Sequence, residues 1–209
     1  MKLVLHDYWR SSASYRVRIA LELKQVDFDL HPVSLLDDAH HSADNLARNP
    51  QGFVPTLEVD GMPLVQSLAI IGWLDDAFPD PPLVPRDPVQ RAHTMARALV
   101  IACDIHPVNN LRIMKRLKSQ FGADQAARDD WYRHWMAEGF VALERMAGEG
   151  PFLGGAAPDI ADICLVPQMY NARRLDLPLD GYPKLVRADE VAQAVPAFAA
   201  AHPGRARPA

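Results

Sequence analysis

Cysteine is scarce in this chain: 209 residues hold two, Cys103 and Cys164, and no C-x-x-C pair. That excludes a disulfide framework and fits a reducing compartment. Both cysteines stand in apolar surroundings and are expected to be buried and inert. Strong charge of one sign is also missing. A formal net charge of -4 leaves no footprint for nucleic acid or for an anionic membrane surface. No apolar run approaches membrane-spanning length. The opening MKLVLHDYWR reaches charge too early for a signal peptide. The expectation is a soluble, cytoplasmic protein with no nucleic-acid or membrane partner. Metal-ligand patterns are missing as well. His40-His41 and the Asp104/His106 pair make no recognisable ligand set, so no metal is expected.

What is present is an ordinary globular composition, 49% hydrophobic and 23% charged, with ample length for a core. KLVLH (2–6) reads as a strand. Val17, Ala20 and Leu21 lie at helical spacing, so a helix follows two serines. FDLHPV (28–33) is a second strand, and the polar stretch before Asn49-Pro50 has room for a short helix. TLEVDGMPLVQ alternates around Asp60-Gly61, a hairpin signal. Ser67 stands where an N-cap belongs for the helix LAIIGWLDDAF. The order β-α-β-α-β-β-α implies a small mixed sheet: a crossover gives one parallel pair, and the hairpin adds an antiparallel edge.

PDPPLVPRDP (79–88) places five prolines in ten residues and reads as a linker. Beyond it the pattern is helical. Trp131, Trp135, Phe140 and Leu143 fit a helical core row. Asp159 and Asp162 are spaced as an N-cap and its reciprocal partner. The tail AHPGRARPA reads as frayed or loosely docked. The division is residues 1–80, a linker over 81–87, and an all-helical domain over 88–209.

The stretch WRSSASYRVRIAL carries the chemistry. A helix N-terminus offers unpaired N–H groups and partial positive charge, and so holds an anion. A thiol held there is acidified. Ser11 and Ser12 have no paired base and no nucleophile elbow. Three readings stand: a plain N-cap, a degenerate redox motif, or a cradle for a thiolate from elsewhere. Val54-Pro55 enters a strand, and a cis bond there would turn the Val54 backbone outward to pair with an extended peptide. Gln66-Ser67 opens a helix and suits a small carboxylate, with an ordinary cap as the alternative.

WRSSASYRVRIAL, ALELK, NPQGFVPTLEVDG, QSLAIIGWLD, CDIHPVNN and ADICLVPQ, in this order, resemble the glutathione transferases. The serine turn with RVRIAL, and CDIHPVNN, resemble their zeta class, which includes the maleylacetoacetate and maleylpyruvate isomerases. The likeness runs from Lys2 to about His202. It implies an α/β plus all-α fold: an N-terminal thioredoxin-like domain with a mixed four-stranded sheet, and a C-terminal helical bundle. It implies glutathione as cofactor, and a homodimer. It places Ser11 and Ser12 beside the glutathione sulfur, Val54 on its cysteinyl backbone, and Gln66 and Ser67 on its γ-glutamyl carboxylate. His40 matches a position near the glycyl end. His106 and Asn110 match helical-domain positions that reach the site, from the same subunit or its twofold partner. Ala13 departs from the class, where cysteine is common, and puts transferase side activities in doubt.

The implied reaction is cis–trans isomerisation of a dicarboxylate enedione, maleylpyruvate or maleylacetoacetate, by reversible thiolate addition to the cis-alkene. It needs a low-pKa thiolate, donors for developing charge and cations for two carboxylates. Arg10 abuts the serine turn, and Arg174 matches an arginine that faces the site. Arg112, two residues past Asn110 on what reads as one helix with His106, resembles the maleylpyruvate branch. Arginine is the natural carboxylate clamp, with a solvated surface group as the alternative for each. Conjugation, dehalogenation or peroxide reduction on the same scaffold is the alternative activity.

Overall fold

A computed structural model of the chain describes residues 1–207. Strands β1 (Leu3–Asp7), β2 (Asp29–Pro32), β3 (Thr56–Val59) and β4 (Met62–Val65) form one sheet in the order β2-β1-β3-β4. Helices α1 (Ser12–Leu23), α2 (Ala43–Arg48) and α3 (Ser67–Ala77) are interleaved with them. There follow α4 (Pro88–Leu99), α5 (Leu111–Phe121), α6 (Gln125–Met146), α7 (Ile160–Arg174), α8 (Pro183–Gln193), α9 (Pro196–Ala200) and α10 (Pro203–Ala206). The chain divides into two units. Unit 1 is Met1–Leu83 together with the segment from Ala194 on; unit 2 is Val84–Gln193. No described helix is long and apolar enough to cross a membrane.

In unit 1, β1 pairs parallel with β2 and antiparallel with β3. The parallel pair needs a crossover, which α1 supplies. β3 and β4 are joined by Asp60 and Gly61, at φ 49° and 85°, the left-handed pair that a two-residue hairpin requires. The Asp60 carboxylate accepts from the Lys2 backbone N–H at 2.7 Å and so ties the hairpin to the start of β1. Leu5 and Leu57 face each other across the sheet and are fully buried, as are Val17, Ile19, Ala20 and Leu21 of α1 and Ile70, Ile71 and Leu74 of α3.

Helix α1 is buried nearly all round, and so is Arg18. Its guanidinium meets both Asp7 carboxylate oxygens at 2.8 and 2.7 Å. It also donates to the Trp9 and Ala201 carbonyls, each at 3.0 Å. This corrects the expectation of a frayed tail. Ala201 is buried, the His202 ring meets Tyr15 edge-on, and α9 packs on α1. The segment from Ala194 therefore belongs with the sheet, not with the helices that precede it. Its last two residues, in the range assigned to 88–209, lie outside the described residues.

In unit 2, α4 runs on as a π-helical segment, Val100–Ile105, and then a 3-10 turn, Pro107–Asn109. Ile105 lies so close to Gly139 of α6 that any Cβ there would clash with its side chain. The core row of α6 is Met136, Phe140 and Leu143. Trp131 and Trp135, expected in it, are only partly buried. Trp131 keeps its indole N–H near the surface, donating to the Val108 carbonyl at 3.0 Å. Cys164 is buried as expected, but Cys103 is exposed, because the π-helical segment turns it outward.

Candidate active site

The serine turn is built by β1 running into α1. The Ser11 N–H donates to the Tyr8 carbonyl at 2.8 Å, which closes the turn. Ser11 is the N-cap of α1: its backbone is extended, and its hydroxyl accepts from the Ser14 N–H at 3.3 Å, a long bond. Ser12 is the first helical residue and is buried. No acidic residue stands in the first turn, so the positive end of α1 has no carboxylate of its own. Arg10 is exposed, its guanidinium 5.6 Å from the Trp9 ring centroid.

Tyr8, Val33 and Val54 form a small apolar cluster, with Trp9, Leu35 and Ala39 packed on it. It draws three loops together: the serine turn, the segment after β2, and the loop that enters β3. The Val54-Pro55 bond is cis. His40 follows Ala39 and is buried, its Nε2 3.6 Å from the Asp38 carboxylate. The His40 carbonyl accepts from the Asn45 amide at 2.8 Å, which holds the loop to α2.

The start of α3 differs from expectation. Gln66, not Ser67, is the N-cap; its φ is 70° and its side chain makes no capping bond. The left-handed residue turns the chain from β4 into the helix in one step, which moves Ser67 to the first helical position. The Gln66 side-chain amide donates instead to Gln51 Oε1 at 2.6 Å. The first turn of α3 also lacks an acidic residue. Arg16, in the middle of α1, points Nη1 at the Ser67 hydroxyl, 3.4 Å away. Its Nε and Nη2 are buried and have no hydrogen-bond partner among the described residues.

In unit 2, His106 and Arg112 do not share one helix. The chain breaks at Pro107, and Asn110 caps a new helix, α5, accepting from the Ile113 N–H at 3.3 Å. Arg112 lies in the first turn of α5 and is exposed. A cation there opposes the helix dipole. Tyr132 of α6 joins this turn to Arg174: its carbonyl accepts from the Asn109 amide at 3.3 Å, and its ring lies 5.8 Å from the Arg174 guanidinium. Arg174 also donates to the Asn171 side chain at 3.3 Å. Within unit 2 the structure thus links Arg174, through Tyr132, to the turn that carries His106 and Asn110.

Asp159 and Asp162 form the reciprocal capping box at the start of α7, as their spacing predicts. Asp159 accepts from the Ala161 N–H at 2.7 Å and from Thr94 Oγ1 at 3.0 Å. Asp162 accepts from the Leu153 N–H at 2.7 Å and the Asp159 N–H at 3.0 Å. Burial, and then the neighbouring Asp159 charge, push the Asp162 carboxyl up to about 7.

Sequence reasoning passed over Arg16, Gln51 and Tyr132. For Arg16 a signal existed: R-V-R inside an apolar helix puts an arginine on a buried face whichever way the helix is rolled.

Residues 10–77 match the family model of the glutathione S-transferase N-terminal domain. The maleylacetoacetate isomerase of Rhizobium meliloti is 48% identical over 208 residues, 98% of each chain. The holo structure of a maleylpyruvate isomerase, described as a bacterial zeta-class glutathione transferase, superposes with a TM-score of 0.95 at 39% identity over 97% of each chain. A maleylacetoacetate isomerase of Methylobacterium extorquens AM1, solved with malonate and glutathione bound, gives a TM-score of 0.93 at 36% identity over 98% of each chain. A full-length likeness of this degree, on the same fold, places the chain in the glutathione transferase family, in the zeta class with the maleylacetoacetate and maleylpyruvate isomerases.

Proposed function

We propose that this protein is a glutathione-dependent cis–trans isomerase of maleylpyruvate or maleylacetoacetate, serving the breakdown of aromatic compounds or tyrosine. The residues of unit 1 fit the cofactor. The starts of α1 and α3 lack carboxylates, and the buried guanidinium of Arg16 has no counter-charge among the described residues. Each feature suits one negative group of glutathione, its thiolate or its γ-glutamyl carboxylate.

When bound, glutathione supplies the thiolate that adds reversibly to the cis double bond. The chain's own residues do the rest. The start of α1, with Ser11 or Ser12 donating, holds negative charge on sulfur and so keeps the thiol ionised near neutral pH. Gln66 and Ser67 hold the γ-glutamyl end, Val54 the cysteinyl backbone, and His40 the glycyl end. His106 and Asn110 are assigned to the cofactor as well. Arg10 and Arg174 hold substrate carboxylates, joined by Arg112 when the substrate is maleylpyruvate, and their charge stabilises the enolate that develops. Residues 1–80 thus supply most of the glutathione contacts, and the helical region from 88 supplies two of the three substrate arginines. We place the enzyme in the cytoplasm, where glutathione is reduced and two unpaired cysteines are stable, and take it to act as a homodimer, as the family likeness implies.

The observation that carries the isomerase reading is Arg112. A cation in the first turn of α5 is disfavoured by the dipole, and Lys115 stands on the same helix. Anionic substrate groups offset that repulsion. The test follows the absorbance of freshly generated maleylpyruvate and maleylacetoacetate with and without glutathione. Rapid, glutathione-dependent loss of one of them is expected, with the trans product confirmed by its hydrolase. Arg112→Ala is expected to lower kcat/KM for maleylpyruvate by about tenfold to a hundredfold, the range of a lost charge-assisted hydrogen bond, and to leave maleylacetoacetate turnover unchanged. Glutathione binding without turnover of either substrate sinks the isomerase reading and favours conjugation or dehalogenation.

A further inference from the structure

Two arginines of α1 lie two residues apart, and both are 2% exposed. Their surroundings are opposite. Arg18 has a full set of partners: both oxygens of Asp7, the Trp9 carbonyl and the Ala201 carbonyl. Arg16 has one, the Ser67 hydroxyl, at a long 3.4 Å. Its Nε and Nη2 have no partner among the described residues, and no carboxylate pairs with it there. Asp7, the buried carboxylate of β1, is taken by Arg18. An unpaired buried guanidinium is costly, so native structures supply it with an anion.

We infer that Arg16 is a positioning residue for the γ-glutamyl α-carboxylate of glutathione, acting through Ser67. The inference rests on the glutathione reading above and assigns a second layer to that subsite. Hydrogen-bond polarity gives the reason. A guanidinium only donates, so the Ser67 oxygen accepts from Arg16 and its own proton is directed elsewhere. Arg16 thereby fixes Ser67 as a donor to an outside acceptor. Ser67 is also the first residue of α3, whose opening turn holds no acid and whose N-cap makes no side-chain bond. The helix end, the serine proton and the buried charge all favour an anion with acceptor oxygens. In glutathione, that group at the γ-glutamyl end is the α-carboxylate.

The test measures binding by calorimetry with two ligands. One is glutathione. The other is γ-aminobutyryl-cysteinyl-glycine, which lacks only that carboxylate. Wild-type protein is expected to favour glutathione by roughly a hundredfold, the scale of several charge-assisted hydrogen bonds. Arg16→Met is expected to bind glutathione roughly tenfold to a hundredfold more weakly and to bind the analogue nearly as wild type does. Arg16→Lys keeps the charge but not the fork, and is expected to recover part of the preference. Arg16→Met is also expected to melt no lower than wild type, because an apolar side chain replaces an uncompensated charge. An Arg16→Met protein that fails to fold, or weakens for both ligands equally, shows a structural arginine and overturns the inference. Undiminished preference for glutathione in Arg16→Met overturns it too. Wild-type protein that binds neither ligand sinks the glutathione reading itself, and this inference with it.

Discussion

Helices α4, α6 and α7 of unit 2 begin on Asp87, Asp124 and Asp159, whose carboxylates accept from first-turn N–H groups at 2.9, 2.8 and 2.7 Å. Helices α1 and α3 of unit 1 begin on Ser11 and Gln66, and neither has an acid in its first turn. The aspartates do two things: they satisfy a donor and they neutralise the positive end of the helix. A helix finished in this way is closed to other anions. Ser11 satisfies one donor at 3.3 Å and leaves the field intact, while Gln66 satisfies none with its side chain. These three starts in unit 2 are thus spent on the unit's own stability, whereas the starts of α1 and α3 carry no charge that would exclude an anion.

The largest effect is expected from making α1 begin as α7 does. Ser11→Asp keeps a good N-cap, so the melting temperature stays near that of wild type. It also sets a carboxylate beside the position assigned to the thiolate. At about 4 Å and an effective dielectric near 20, two like charges repel by roughly 4 kcal/mol. Isomerisation is then expected to fall by about a hundredfold or more, with the thiol pKa of bound glutathione raised, as read from thiolate absorbance. Unchanged turnover in this variant would remove the distinction between the two kinds of helix start.

The converse change, Asp159→Ala, opens α7. It removes the cap bond and the contact with Thr94, a loss of roughly 1–2 kcal/mol. A fall in melting temperature of about 2–8 °C is expected for a chain of this size. The affinity of the folded protein for glutathione is expected to hold, because, among the described residues, Asp159 bonds only to Thr94 and to the start of α7, and it is not one of those assigned to glutathione.

A smaller effect separates the units by pH. Asp162 is raised to about 7 by burial and the Asp159 charge, so the folded state holds a proton there that the unfolded chain has lost. Its contribution is fully present below about pH 4 and is lost as pH rises through 7. Burial lowers His6 and His202 in unit 1, so the unfolded chain takes up protons before the folded one does. That contribution is present above pH 6.5 and is lost as pH falls. Native-state hydrogen exchange is expected to show α7 amides losing protection as pH rises from 5 to 7, while amides of β1 and α1, where burial lowers His6 and His202 but raises Asp7, show a smaller net change. Parallel trends in both units would show that local titration does not govern either.

The elements were legible because each has a local cause. Alternation around Asp60-Gly61 made the hairpin, apolar spacing made α1 and α3, and Asp159 with Asp162 made a capping box by spacing alone. The serine turn was legible as a possible anion site from the chemistry of helix starts. Other features depend on distant partners. Trp131 fits a core row by spacing, yet its N–H finds the Val108 carbonyl near the surface. Cys103 reads as apolar but lies on a π-helical segment that rotates it outward. His106 and Arg112 read as one helix, yet Pro107 and the Asn110 cap divide them.

By itself the sequence determined the order of elements, the carboxylate-free starts of α1 and α3, and the family signature in the serine turn. These follow from neighbours within a few residues, where backbone geometry and hydrogen-bond reach are local. Tertiary structure alone decided that the tail returns to unit 1, where Ala201 completes the bonds of Arg18, and that Arg16 is buried against Ser67 without a carboxylate. Whether a buried charge is satisfied depends on groups brought close from distant positions: Ala201 lies 183 residues from Arg18, and Ser67 lies 51 from Arg16.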